Sequence, residues 1–221
     1  MYKVKPKLNI SLLVKEAKAF CSSFSRKNHE NLVGITDGKT IGTYLEQSFK
    51  KFLSSKYTFV MGSSANGIDF PSRNINTDIK VTSINQPQSS CPYRSIEQKI
   101  YGLGYNLLIF VYTKIDKANG CIIRINNLIF VDKSRTADFT ITKRLREMIK
   151  DGANKFDILG FLEDRNIPAD EIILDRLSQK ILENTPKQGY LTISNAFQWR
   201  LQYSRLLTLD GEIQGVVHYE S

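Results

Sequence analysis

Apolar residues recur every three or four positions at Ile10, Leu13, Val14, Ala17, Phe20, Cys21 and Phe24, which predicts an amphipathic helix over residues 9–24. Residues 25–39 are polar and Gly-punctuated, a loop. A second stripe, Ile41, Tyr44, Leu45, Phe49 and Phe52, predicts a helix over 40–54 with Thr40 as its cap, and Tyr57 to Met61 reads as a short strand. From Asn66 to Ser83 the pattern becomes extended. Ile68 and Phe70 flank Asp69, Pro71-Ser72-Arg73-Asn74 supplies turn chemistry, and Ile75 to Val81 resumes alternation, so a hairpin is expected.

Residues 84–95 form a polar loop with two prolines, followed by a helix capped by Ser95, with Gln98 at its third position, that runs to about Gly102 or Tyr105. The continuous apolar run Leu107–Tyr112 suits a central strand buried on both faces, and Cys121–Ile125 with Asn127–Val131 reads as a hairpin or two further strands. Beyond Ser134 the texture turns helical, over 139–150, 156–165 and 170–182. An extended piece at 190–194 precedes a helix carrying Phe197, Trp199, Tyr203 and Leu206, and Gly215–Tyr219 is strand-like. These elements predict an α/β fold, a mixed central β-sheet flanked by helices, with a core over residues 1–133 and a mainly helical lobe over 134–221. Winged-helix-like packing of that lobe and all-helical packing around the sheet are both compatible with the pattern.

Charge narrows the partner. The 221 residues hold 31 Lys and Arg against 22 acids, a net +9, which favours a polyanion and above all nucleic acid; ordinary solubility charge is the alternative, since no long basic block occurs. Three cysteines without CxxC spacing and two histidines make a zinc site, a disulfide framework and Ser/His or Cys/His hydrolysis poor fits, and suit a reducing compartment. The basic N-terminus lacks a signal-peptide core and no run of eighteen apolar residues occurs, so a soluble, cytoplasmic protein without a membrane partner is expected.

The hairpin carries the candidate chemistry. Residues two apart on a strand share a face, so Asp78 and Lys80 should point together while Ile79 and Val81 point into the core, and Asp69 should lie on the neighbouring strand. Two hard oxygen ligands beside an ammonium are what a magnesium-dependent phosphodiesterase needs. Other acid-x-Lys triplets, at Glu16, Asp37 and Glu97, do not sit in a strand beside a second aspartate; charges on a solvated hairpin face are the plainer alternative. Glu46 could turn inward as a third carboxylate, or face solvent and pair with Lys50 at i+4. Asn85, Gln86, Gln88, Ser89, Ser90 and Arg94 in the following loop, and Gln198, Arg200, Gln202 and Arg205 near the C-terminus, offer groups that read base edges or hold phosphates, or else simply face solvent.

A helix bearing Glu46, then Asp69, then Asp78-Ile79-Lys80, with GIDFP, TDIKVTS, QPQSSCPYRS and KIYGLGYNLLIFVY in that order, resembles the PD-(D/E)XK nuclease superfamily, and most of all its type II restriction endonucleases. The resemblance covers about residues 40–131. It departs in that Ile68 precedes the first aspartate where the superfamily usually has proline, and Pro71 follows it. The resemblance implies a restriction-endonuclease-like core and Mg²⁺-dependent cleavage of double-stranded DNA at a short recognition sequence. It further implies 5′-phosphate and 3′-hydroxyl products, and a homodimer whose genetic partner is a cognate DNA methyltransferase. By the same resemblance Asp69, Asp78 and the backbone carbonyl of Ile79 ligate the metal, Lys80 orients or deprotonates the attacking water, and Glu46 supports a second metal or its water shell. A non-catalytic DNA-binding regulator and a structure-specific nuclease such as a junction resolvase are the competing readings. A regulator has no reason to assemble Asp69, Asp78 and Lys80 beside a buried strand.

Overall fold

The computed structural model describes residues 5–62, 67–92, 94–194 and 199–220. In chain order its elements are α1 (Ile10–Phe24), α2 (Gly38–Ser54), β1 (Thr77–Ser83), β2 (Gln88–Cys91), α3 (Glu97–Tyr101), β3 (Asn106–Lys117) and β4 (Gly120–Val131). They continue with α4 (Phe139–Lys150), α5 (Lys155–Asp164), α6 (Glu171–Glu183), β5 (Thr192–Ile193), β6 (Trp199–Gln202), α7 (Ser204–Leu207) and β7 (Val216–Glu220). The chain divides into two compact units, one of Met1–Ser89, Tyr105–Val131 and Gly211–Ser221, the other of Ser90–Gly104 and Asp132–Asp210. Among the described residues no helix is long and apolar enough to cross a membrane.

The first unit is built on a mixed four-stranded sheet in the order β1-β3-β4-β7, with β1 parallel to β3 and the other pairs antiparallel. Leu107 to Val111 of β3 are fully buried, as a strand inside a sheet covered on both faces requires. One face receives α1 and α2. Leu13, Ala17, Phe20 and Phe24 from α1 and Ile41, Leu45, Phe49 and Leu53 from α2 pack on Ile79, Leu108, Phe110, Ile123 and Ile125. The apolar stripes read in the sequence are thus the packed faces.

Asn9 caps α1 through its side chain, and Asp37 caps α2, its carboxylate accepting from Lys39 and Thr40 N–H. The second helix therefore starts at Gly38 rather than at Thr40, because a carboxylate three residues earlier satisfies the orphan donors first. Tyr57–Met61 forms no strand; Thr58 makes an isolated bridge to Lys7. The hairpin expected over 66–83 shrinks to one antiparallel bridge, Phe70 to Thr77. On one side of the bridge Ser72 O accepts from both Ile75 and Asn76 and turns the chain at once; on the other, Ile79 N–H goes to the Asp69 side chain rather than to a backbone carbonyl. Asp69 sits in irregular backbone before the bridge, and Asn66, the first residue of the expected hairpin, lies outside the described residues.

His29 closes the unit beside the first helix. Its backbone exchanges hydrogen bonds with Cys121 (2.8 and 3.2 Å), its Nδ1 meets Tyr44 Oη at 3.0 Å, and its Nε2 is buried without a partner. Burial, opposed by a backbone hydrogen bond at Phe24, holds its pKa below the usual 6.5. Between that lowered value and about 6.5 the unfolded chain binds the proton and the folded chain does not, so stability rises with pH across this window. The unit should be fully stabilised above about pH 6.5 and weaken as the pH falls below it. Urea midpoints at pH 7.5 and 5.5 should therefore drop more for the wild type than for His29→Gln. Equal drops would remove His29 from the acid sensitivity.

In the second unit α3 starts at Glu97, later than the expected cap at Ser95, whose Oγ accepts from Glu97 N–H at 3.2 Å; the helix stops at Tyr101 because Gly102 turns left-handed at φ 96°. Asp138 caps α4 through Ile141 N–H, and Asn154 with Asp157 forms a capping box on α5. A three-stranded sheet has the order β2-β6-β5. The polar loop expected over 84–95 thus contains a strand. The helix expected around Trp199 and Tyr203 is strand β6 followed by the short α7, and residues 195–198 lie outside the described residues. Trp199 and Leu201 are buried while Arg200 and Gln202 are exposed, a period of two that the aromatic spacing concealed. The strand-like Gly215–Tyr219 stretch becomes β7 and pairs with β4 in the first unit.

Candidate active site

The free edge of β1 carries the candidate chemistry. Thr77 and Phe70 exchange both backbone hydrogen bonds on this edge, and two residues on Ile79 N–H donates to Asp69 Oδ2 at 2.7 Å. Within a strand the N–H and C=O of one residue point to the same side, so the Ile79 carbonyl lies on this edge too, beside the Asp69 carboxylate. The Ile79 side chain is buried in the core, while Asp78 and Lys80 take the other face of the strand, Lys80 Nζ standing 2.8 Å from Asp78 Oδ2. Gly62 N–H donates to Asp69 O at 2.8 Å; a Cβ on Gly62 would fall 1.8 Å from Ile68 O, so only glycine lets this segment press on the Asp69 backbone.

Helix α2 completes the group. Glu46 and Lys50, one turn apart, both face a cleft of about 280 Å³ that Asp69, Asp78, Ile79 and Lys80 also line. Lys50 Nζ contacts Glu46 Oε1 at 2.7 Å and reaches on to Asp69 Oδ1. The sequence left two options for Glu46, turning inward or pairing with Lys50. The structure has both at once, because Lys50 itself turns inward. That Lys50 bridges two carboxylates was not foreseen; its i+4 spacing from Glu46 was the available signal.

Three carboxylates and two ammonium groups thus share a small, largely buried space. Burial pushes the Asp78 carboxyl up to about 7, opposed by the Lys80 charge and reinforced by the hydrogen-bonded Asp69 carboxyl. Burial also raises Glu46, with Lys50 opposing and the Asp69 charge adding to it. At Asp69 the same burial is outweighed by Asp78, Lys50 and Ile79 N–H, and its carboxyl lies below the usual range. Lys50 is the counterpart: burial works against its charge, but Asp69 and Glu46 prevail and raise it. Asp69 is the most acidic of the three carboxyls.

Whether these residues fit a divalent cation can be read from the donors. Among the described residues no three His, Cys, Asp or Glu side chains converge to hold a metal as they stand. In the cleft, two ammonium groups already occupy carboxylate oxygens. Yet Asp78 Oδ2 is buried without a hydrogen bond of good geometry, despite its ion contact to Lys80. That orphaned oxygen, the adjacent Asp69 carboxylate and the edge-facing Ile79 carbonyl form an oxygen-only set of the kind Mg²⁺ takes, with room left for water.

Four of the candidate base-reading residues belong to the same unit as this cleft. Asn85, Gln86, Gln88 and Ser89 follow β1, and none lines it. Thr82, on the same strand, shapes their loop: its Oγ1 accepts Gln88 N–H at 3.1 Å and stands 2.9 Å from Gln86 O. Asn85 and Gln86 are exposed. Ser90, Arg94 and Arg200 belong to the second unit and are exposed there, while Gln198 lies outside the described residues.

The family model described as type II restriction enzyme NspV matches residues 7–218. The chain is 49% identical over 212 residues to the type II restriction enzyme NspV of Nostoc sp. (strain ATCC 29411 / PCC 7524), covering 95% of this chain and 96% of that protein. Among solved structures, the tetrameric restriction endonuclease SfiI bound to cognate DNA aligns with a TM-score of 0.46 and 10% identity, over 96% of this chain and 81% of that one.

Proposed function

Since the chain belongs to the family of the type II restriction enzyme NspV, we propose that it hydrolyses double-stranded DNA at a short recognition sequence, using Mg²⁺ and leaving 5′-phosphate and 3′-hydroxyl ends. The single observation that carries the site assignment is the cleft at the edge of β1, where Glu46, Asp69, Asp78, the Ile79 carbonyl and Lys80 come together. Asp69, Asp78 and the Ile79 carbonyl would hold Mg²⁺, with Glu46 supporting a second ion or its water shell. When bound, the cation supplies Lewis acidity at the scissile phosphate.

The chain's own groups do the rest. Lys80, held on the strand face beside Asp78, orients the attacking water or takes its proton and balances charge on the pentacovalent phosphate. Asp69, anchored by Ile79 N–H, keeps its oxygens in place with little freedom to swing. The mixed sheet with Asp69 and Asp78-Ile79-Lys80 at one edge supports a PD-(D/E)XK architecture; residues 134–221 would then hold DNA-recognition or dimerisation elements, winged-helix-like in arrangement. Asn85, Gln86, Gln88, Ser89, Ser90, Arg94, Gln198 and Arg200 are the proposed DNA contacts. A homodimer acting in the cytoplasm alongside a cognate methyltransferase, its genetic partner, belongs to the same reading, since two-fold symmetry matches a palindrome.

The test is a plasmid and phage DNA digest with Mg²⁺, with and without chelator, run beside Lys80→Ala. Discrete bands are expected from the wild type and none with chelator. Lys80→Ala should cut at least about a hundredfold more slowly, the scale of losing a positioned acid–base or charge-stabilising group. Uncut DNA with well-folded wild-type protein would leave the binding-module reading in its place.

A further inference from the structure

The cleft already contains a cation, and it belongs to the chain. Lys50 Nζ lies between Glu46 Oε1, at 2.7 Å, and Asp69 Oδ1, with only 17% of its side chain exposed. We propose that Lys50 is a resident counter-ion that a divalent cation must displace before it can engage Glu46 and Asp69, so that Lys50 sets the metal affinity of the DNA-free enzyme. The inference rests on the metal-nuclease reading above.

Three observations support it. Lys50 sits on a helix whose neighbouring residues Leu45, Phe49 and Leu53 are fully buried, so backbone movement cannot withdraw it and only its side chain can swing clear. Lys80 is engaged with Asp78, which leaves Lys50 as the ammonium that neutralises Glu46 and Asp69 among the groups facing the cleft. Finally, no three acidic side chains among the described residues converge at metal-holding distance. Lys50 takes one oxygen from each of two carboxylates, oxygens that a cation bound there would need. Lys50 is a positioning residue in this scheme: it acts on the metal through Glu46 and Asp69.

The test is Mn²⁺ binding to the protein without DNA, followed by electron paramagnetic resonance, for the wild type, Lys50→Gln and Lys50→Arg. Removing a full charge a few ångströms from a divalent ion should tighten binding at least about tenfold in Lys50→Gln. Lys50→Arg, whose fork can bridge both carboxylates, should stay near the wild type. Melting in chelator adds a second readout: Lys50→Gln should melt earlier than the wild type and gain more from added Mn²⁺. Unchanged or weaker Mn²⁺ binding by a folded Lys50→Gln would overturn the proposal. The plasmid digest separates the two levels. Wild-type cleavage with an unmoved Lys50→Gln affinity sinks only the role of Lys50, whereas no Mn²⁺ uptake by any of the proteins and no cleavage sinks both readings.

Discussion

Asp78→Ala is expected to lower DNA cleavage by at least about a thousandfold, the loss seen when a group that stabilises transition-state charge is removed, while the protein stays folded. Both halves follow from the same environment. The Asp78 side chain is 7% exposed, one of its oxygens has no hydrogen bond, and burial drives its pKa up to about 7. Burying such a carboxylate costs stability, and a strongly raised carboxyl in a cleft marks a functional candidate. Replacing it removes that cost but leaves Lys80, 17% exposed, without its partner at 2.8 Å, so the melting temperature should change little. Single-turnover cleavage and thermal melts of the same preparations check the two together. A variant that keeps a tenth of the wild-type rate would remove Asp78 from catalysis, and one that no longer folds would make it structural.

Phe110→Ala should cost about 3–5 kcal/mol of folding stability, a large share of the roughly 5–15 kcal/mol that a typical domain has. Phe110 is fully buried in the middle of β3, with its ring 5.2 Å from Phe49 and 6.0 Å from Phe20. Those two rings belong to α2 and α1, so one side chain ties both helices to the sheet. The effect should also reach the cleft, because Phe49 lies one residue from Lys50 and three from Glu46 on α2. Urea denaturation is the measurement, with Phe110→Leu as the milder change at about 1.5 kcal/mol or less. A midpoint for Phe110→Ala within error of the wild type would mean that this aromatic cluster does not hold the helices.

Much of this was readable from the chain because it depends on local pattern. The stripe at 10–24 and the run Leu107–Tyr112 became α1 and the buried β3, since a period of 3.6 buries one helix face and so short an apolar run fits a strand better than a buried helix. Asp78 and Lys80 share a face for the same reason, a period of two along β1. The sequence misled where two periods overlap. Trp199 to Tyr203 can be read as a helical stripe or as alternation, and its neighbours in the β2-β6-β5 sheet, β5 just before it and β2 from far along the chain, decided for a strand.

What determines the site belongs partly to each level. The sequence by itself named the candidates: two aspartates and a lysine in an extended stretch, and a glutamate next to a helix stripe whose direction it left open. Only the tertiary structure decided that Asp69 reaches the β1 edge from irregular backbone through Ile79 N–H, that β7 returns from the far end of the chain to pair with β4, and that Lys50 turns inward to join Glu46 to Asp69. Spacing along a strand or helix constrains neighbours, whereas which separate segments meet depends on how buried faces pack, and that is a property of the whole chain.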